Sequence, residues 1–326
     1  MEIDTHVLEK IKKITEKYNF DKKILVAYSG GKDSFFTCIA LRELGYKINP
    51  VILDIGVDNN WSIQIDNLKN YGIVAEVINE ERLSKFCDWN SSYEIKAYLE
   101  MTKENIRKGL TPCTPCYNAK MLMLQFIALK KGIRDCAFGH HGTDAVTSLL
   151  KSYFMYVDCL IRKKQEFNMQ IFQNLVLEYY DQFTMSTEKF KHSLLYKDIE
   201  TMIKLGYAGT DEPIRQKCGN IRVVRPLFRV LENEIIQTLN STPLFFPKAE
   251  CFRSGYRINT RMTPREFIQQ RLLLDRNINL EIIQILLKLI EDNLNADGTM
   301  KYDVRRNRTK ILGGSYEKTL QSCNKI

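Results

Sequence analysis

The chain has 326 residues, of which 44% are hydrophobic and 27% charged, a balance that suits a globular protein and excludes a disordered or fibrous one. Its 48 Lys and Arg against 39 Asp and Glu leave a net charge of +9, which permits an anionic partner without requiring one. The longest nearly apolar run, residues 121–129, is too short to span a bilayer, and Met1-Glu2-Ile3-Asp4 has neither a basic nor an apolar leader, so the expectation is a cytoplasmic protein with no membrane partner.

Residues 5–18 read as an amphipathic helix with Val7, Leu8, Ile11 and Ile14 on one face. Ile24-Leu25-Val26-Ala27-Tyr28 is a continuous apolar run that suits a buried parallel strand. The polar turn Ser29-Gly30-Gly31-Lys32-Asp33-Ser34 follows, then a helix over 35–44 that stops at Gly45. Residues 48–55 form the next strand, 67–71 a helix end and 73–78 a third strand. A helix over 119–131 ends at Gly132, and a short strand over 135–138 leads into Gly139-His140-His141. This alternation predicts an α/β fold, a parallel sheet flanked by helices.

From 151 to about 220 the chain is rich in aromatic and lysine residues, and two or three inserted helices are expected there. Residues 221–224 return to strand character, 226–239 read as a turn and helix, and 280–292 as a helix. The expected organisation is an N-terminal helix at 1–24, a core at 25–150, a helical insertion at 151–220, completion of the core at 221–257 and a basic, helical C-terminal extension at 258–326. The basic excess sits late: residues 215–229 hold five basic residues and no acid, and 301–310 hold five against one. These stretches are solvated faces or the footprint of an anionic ligand.

The turn at Ser29–Ser34 lies where an α/β fold places a phosphate site, between a strand and a helix N-terminus whose N–H groups and dipole favour anions. Gly30 and Gly31 let the backbone approach a ligand closely. Ser29 and Ser34 offer hydroxyls, Lys32 a positive charge and Asp33 a carboxylate for Mg2+. The spacing is neither that of a Walker A loop nor that of a dinucleotide fingerprint.

The nine cysteines are odd in number and irregular in spacing, so a disulfide framework is not expected. Cys113-Thr114-Pro115-Cys116 is the exception, since a C-x-x-C pair can share one metal. The other readings are a redox or persulfide-carrying cysteine and an ordinary structural pair.

Ser-Gly-Gly-Lys-Asp-Ser after an apolar strand resembles the PP-loop of the N-type ATP pyrophosphatases. Cys113 and Cys116 are followed by Gly139-His140-His141-Gly142-Thr143-Asp144, by Val224-Arg225-Pro226-Leu227 and by Phe246-Pro247 before Cys251. That order is similar to the tRNA 2-thiocytidine synthetase (TtcA-like) branch of sulfur-transfer enzymes. The resemblance covers about residues 20–150 and 221–257. It implies a Rossmann-like PP-loop fold and an ATP site made by Ser29, Gly30, Gly31, Lys32, Asp33 and Ser34, with Asp54 at the adenine edge and Gly139 and His140 near the nucleotide. It implies Mg2+ on Asp33 and Asp144, and a [4Fe-4S] cluster on Cys113, Cys116 and Cys251 with one open iron for sulfide.

The implied activity is ATP-dependent thiolation, in which Lys32, Asp33, Cys113 and Cys116 carry the chemistry. A nucleobase carbonyl oxygen is adenylated and sulfur displaces AMP. The expected partners are a tRNA acceptor and a sulfur donor, sulfide or a desulfurase, and a homodimer is compatible with the resemblance. A free nucleobase or other small acceptor is the second expectation, and a non-catalytic nucleotide- or RNA-binding protein the third. Two departures bear on the acceptor. After the C-x-x-C pair the chain reads Tyr117-Asn118-Ala119-Lys120, with one basic residue where the tRNA enzymes carry a strongly basic stretch. The insertion at 151–220 also replaces a shorter connection, as a lid or as an RNA-docking surface.

Overall fold

The computed structural model describes residues 2–55, 61–83, 89–108, 113–162, 167–204, 214–246 and 263–301. The chain divides into two units, Met1–His141 with Ile214–Arg261, and Gly142–Pro213 with Met262–Ile326.

The first unit opens with α1 (Thr5–Lys17), capped by the Asp4 carboxylate on the His6 N–H at 2.7 Å and burying Val7, Ile11 and Ile14. Strand β1 (Lys23–Ala27) follows, its Ile24, Leu25 and Val26 fully buried. Next come α2 (Lys32–Glu43), β2 (Lys47–Leu53), α3 (Ser62–Lys69), β3 (Glu76–Ile78), α4 (Glu80–Leu83), α5 (Trp89–Arg107), α6 (Cys113–Lys131) and β4 (Asp135–Ala137). Helix α2 starts three residues before its expected position, so Lys32, Asp33 and Ser34 form its first turn. Helix α6 likewise begins at Cys113, with Pro115 in the first turn, where a missing N–H costs no helical bond. The C-x-x-C pair therefore stands within the helix start rather than ahead of it.

The second unit holds α7 (Gly142–Arg162), α8 (Met169–Glu178), a 3-10 turn at Tyr180–Phe183, α9 (Thr187–His192) and α10 (Leu194–Lys204). The first unit resumes with β5 (Arg215–Cys218), β6 (Ile221–Val224) and α11 (Glu232–Asn240). The second resumes with α12 (Pro264–Ile268), which widens into a π turn at Gln269–Leu273, and α13 (Leu280–Asp292).

The six strands of the described residues form one sheet in the order β3-β2-β1-β4-β6-β5. All neighbours are parallel except β5, which runs antiparallel to β6 after a turn in which Gly219 takes φ +54. Strand β5 reads Arg-Gln-Lys-Cys, a polar edge strand without the apolar run that marks the buried ones, which is why sequence pattern passes over it. The chain runs from β1 outward through β2 to β3, then places β4 on the other side of β1. The ends of β1 and β4 thus flank the point where strand order reverses, the place such sheets reserve for ligands.

Leu25, Val51, Ile78, Ile95, Leu99, Leu124, Ile127 and Ile221 pack together between the sheet and helices α5 and α6. Each is worth about 1.5–3 kcal/mol of burial. At the opposite end of the strands, the fully buried Asp135 accepts from Arg222 Nε at 2.6 Å and from the Asp21 N–H at 2.7 Å, tying the starts of β4 and β6 to the approach to β1.

In the second unit, Phe154 and Tyr153 of α7 pack against Tyr179, with ring centroids 5.5 and 6.2 Å away. Helix α13 is capped by Asn279, whose own N–H reaches Phe183 O at 2.8 Å and whose side chain reaches Met185 O at 3.0 Å. The segments on either side of the returning core strands thus form one helical body. Among the described residues no helix is long and apolar enough to cross a membrane.

Candidate functional site

Strand β1 delivers the chain to Tyr28, whose hydroxyl donates to Gln64 O at 2.9 Å. The loop then turns at Gly30 with φ +77, and a Cβ there would lie 2.2 Å from Gln64 Cγ, so only glycine fits. Gly31 precedes α2 without a side-chain cap, leaving the first-turn N–H groups facing the loop. Ser34 Oγ donates to Gly31 O at 2.9 Å and accepts the Ser29 N–H at 3.2 Å, with Ser29 Oγ also 3.2 Å away. These bonds curl Ser29–Ser34 into a closed turn. From the end of β4, Gly139 presses on this turn: a Cβ on it would meet Ser34 N at 2.8 Å and Asp33 C at 2.9 Å.

Four ionisable side chains stand in a row beside the loop. Lys32 Nζ pairs with Asp33 Oδ1 at 2.7 Å and with Glu232 Oε1 of α11 at 2.9 Å. On its other side Asp33 Oδ1 lies 3.8 Å from Nε2 of the buried His141. Burial works against the charge on Lys32, but the two carboxylates outweigh it and hold its pKa above the ordinary lysine value.

The fold brings Ser29, Gly30, Gly31, Lys32, Asp33, Ser34 and Gly139 together at the start of α2. Asp54 sits at the end of β2, half-buried, its N–H on Ile78 O at 3.0 Å. His140 lies with its ring 5.8 Å from that of Phe138, whereas its neighbour His141 is the histidine that faces Asp33. Asp144 belongs to the helical unit, where Arg265 holds its carboxylate at 2.9 Å. Sequence reading missed Glu232 and Gln64. Neither carries a local signal, because a Glu opening a helix and a Gln inside one are ordinary helix residues.

Cys113 and Cys116 are both half-buried in the first turn of α6, three positions apart on one helix face. Cys38 and Cys136 are fully buried, and burial pushes both thiols far above the usual range; burial also raises Cys218. Those three are held as inert thiols. Cys251, the third expected ligand, lies outside the described residues. Among the described residues no three His, Cys, Asp or Glu side chains gather as a metal site. Cys113 and Cys116 have the donor type that suits two ligands of an iron–sulfur cluster. For Mg2+, Asp33 is a partly exposed carboxylate at the loop mouth.

No protein-family profile matches the chain. It is 27% identical over 150 residues to a tRNA-5-methyluridine(54) 2-sulfurtransferase of Pyrococcus horikoshii, covering 44% of this chain and 44% of that protein. It is 28% identical over 139 residues to a tRNA-cytidine(32) 2-sulfurtransferase of Pelobacter propionicus, covering 40% of this chain and 46% of that protein. The match thus spans less than half the length of these relatives. The solved U34-tRNA thiolase NcsA from Methanococcus maripaludis, with its [4Fe-4S] cluster, aligns over 94% of this chain and 88% of its own at 14% identity and a TM-score of 0.43. The Ser-Gly-Gly-Lys-Asp-Ser loop, closed at the switch point of a parallel sheet, is similar to the PP-loop of the N-type ATP pyrophosphatases, and the chain's relatives in sequence are tRNA 2-sulfurtransferases.

Proposed function

We propose that the protein is an ATP-dependent sulfurtransferase that thiolates a nucleobase carbonyl of tRNA. The observation that carries this reading is the closed Ser29–Ser34 turn at the start of α2, with Lys32 beside it. The α2 N–H groups and Lys32 bind the phosphates of ATP, and Asp33 would hold a Mg2+ ion that arrives with them. Asp54 and His140 border the nucleotide, and Gly139 keeps the β4 edge close enough to wall the site.

In the reaction, the acceptor carbonyl oxygen bonds to the α-phosphorus and pyrophosphate leaves. Sulfur then bonds to the carbon as the C–O bond breaks, and the oxygen departs on AMP. A [4Fe-4S] cluster on Cys113, Cys116 and Cys251 supplies, when bound, an open iron that can carry sulfide. Cys113 and Cys116 would be the two of those ligands that stand at the α6 N-terminus. The sulfur itself comes from sulfide or a desulfurase.

A second reading, a free nucleobase or similar small acceptor, is favoured by one observation: α6 continues from Cys116 through Tyr117, Asn118 and Ala119 before its first basic residue, Lys120. An anaerobic assay of AMP release with sulfide, comparing bulk tRNA with free nucleobases and nucleosides, decides between them. Stimulation by tRNA, with a thionucleoside in its digest, supports the proposal. Stimulation by a free base with tRNA inert replaces it, and ATP bound but never cleaved would make this a non-catalytic nucleotide-binding protein. Separately, iron and sulfide content after anaerobic purification should fall to trace levels in Cys113→Ala, and unchanged content would sink the cluster assignment.

A further inference from the structure

Lys32 is the loop's own cation, yet it is gripped from outside the loop. Its ammonium has three N–H donors. One meets Asp33 Oδ1 at 2.7 Å and a second meets Glu232 Oε1 at 2.9 Å. Asp33 is the next residue in the same helical turn and moves with the loop. Glu232 arrives on α11 and is itself firmly placed. It is 8% exposed, and the α11 start is closed by the Leu231 N–H on Glu234 Oε2 at 2.8 Å. The other oxygen of Glu234 takes Lys10 Nζ of α1 at 2.6 Å, which fastens α11 to a second helix.

We propose that Glu232 is a positioning residue that holds the Lys32 ammonium at the phosphate loop, with its remaining donor directed to a phosphate oxygen of the nucleotide. The proposal rests on the reading of Ser29–Ser34 as an ATP site. A lysine side chain is long and rotamer-rich, so an ammonium anchored before the ligand arrives spares binding the cost of ordering it. The anchor must come from outside the turn, because a partner within the turn cannot fix the lysine relative to the rest of the sheet. It must also be anionic, since a neutral amide would leave a half-buried ammonium short of a charge-assisted bond.

Calorimetric titration of the full chain with ATP and with adenosine tests this in wild type, Glu232→Gln, Lys32→Met and the double variant. Glu232→Gln should weaken ATP binding about tenfold and leave adenosine unchanged. In the Lys32→Met background the same substitution should cost ATP binding nothing further, because the effect of Glu232 on the phosphates is relayed by the Lys32 ammonium. Wild-type or tighter ATP binding by Glu232→Gln overturns the proposal, the tighter case making Glu232 a competitor for the lysine. So does an additive loss in the double variant, which marks a merely structural role. If Lys32→Met binds ATP as wild type does, the assignment of the lysine to the phosphates fails first and takes the proposal with it. Should Glu232→Gln not fold, Glu232→Asp keeps the charge but withdraws it by one methylene, and a loss of about threefold for ATP is expected. No loss there overturns the proposal as well.

Discussion

Replacing Asp33 by alanine is expected to lower AMP release from ATP by at least about 100-fold while the protein stays folded. The carboxylate lies between Lys32 at 2.7 Å and His141 at 3.8 Å, so its loss removes the acid proposed to meet a metal-bound nucleotide. Structurally it does little. Its side chain is 33% exposed, and an acid in the first turn of a helix contributes about 0.3–1 kcal/mol through the dipole. The backbone bond from Thr37 Oγ1 to Asp33 O, at 2.8 Å, does not involve the deleted atoms. Circular dichroism and a melting curve close to wild type, together with AMP formation near background, are the expected pair of results. Turnover within a few-fold of wild type would refute the catalytic assignment. Asp33→Asn separates charge from shape: it should be as inactive as alanine if the negative charge is what matters.

Gly139→Ala is expected to damage the same site without touching any functional side chain. The added methyl would lie 2.8 Å from Ser34 N and 2.9 Å from Asp33 C, both backbone atoms at the start of α2. Backbone cannot swing aside as a side-chain tip can, so β4 and the loop must part. Overpacking of this kind costs about 1–3 kcal/mol of stability. The proposed ATP site should suffer further, because separation disturbs the first-turn N–H groups assigned to the phosphates, and a loss of at least about tenfold in ATP affinity is expected. Urea denaturation and ATP calorimetry measure the two effects. Full ATP affinity in the alanine variant would show that the close approach of β4 to the loop is dispensable. Gly45 makes a useful control: its added Cβ would meet nothing within 4 Å, although its φ of +76 still disfavours alanine, so stability should fall while ATP affinity holds.

The match between expectation and structure follows the range over which each interaction acts. Helix α13 runs Leu280–Asp292, as its periodic pattern implies, because an amphipathic stripe and the Asn279 cap are encoded within a dozen neighbouring residues. Strand β1 was legible for the same reason: its apolar run says that both faces are covered, and a parallel sheet with helices on each side covers them. The phosphate loop is more local still. Gly30 needs its positive φ and Ser34 bonds back to Gly31 within six residues, so a short motif carries the whole turn.

What escaped the one-dimensional reading depends on segments that meet only after the chain has crossed the sheet. The pairing of β4 with β1 brings Gly139 onto the turn, and α11 returns Glu232 to Lys32. A glutamate at a helix start and a glycine after a short strand look the same wherever they sit, so no local pattern announces either contact. Helices α2 and α6 start earlier than the sequence pattern predicts because Lys32, Asp33, Cys113 and Cys116 read as polar turn residues. Their places in the first helical turn are chosen by burial of the residues that follow, Phe35 and Phe36 in one helix and Ala119 and Met123 in the other. The sequence of this protein therefore determines the phosphate-loop turn through a few adjacent residues, whereas the order of its strands, and with it the company each loop side chain keeps, follows from the burial of surfaces far apart along the chain.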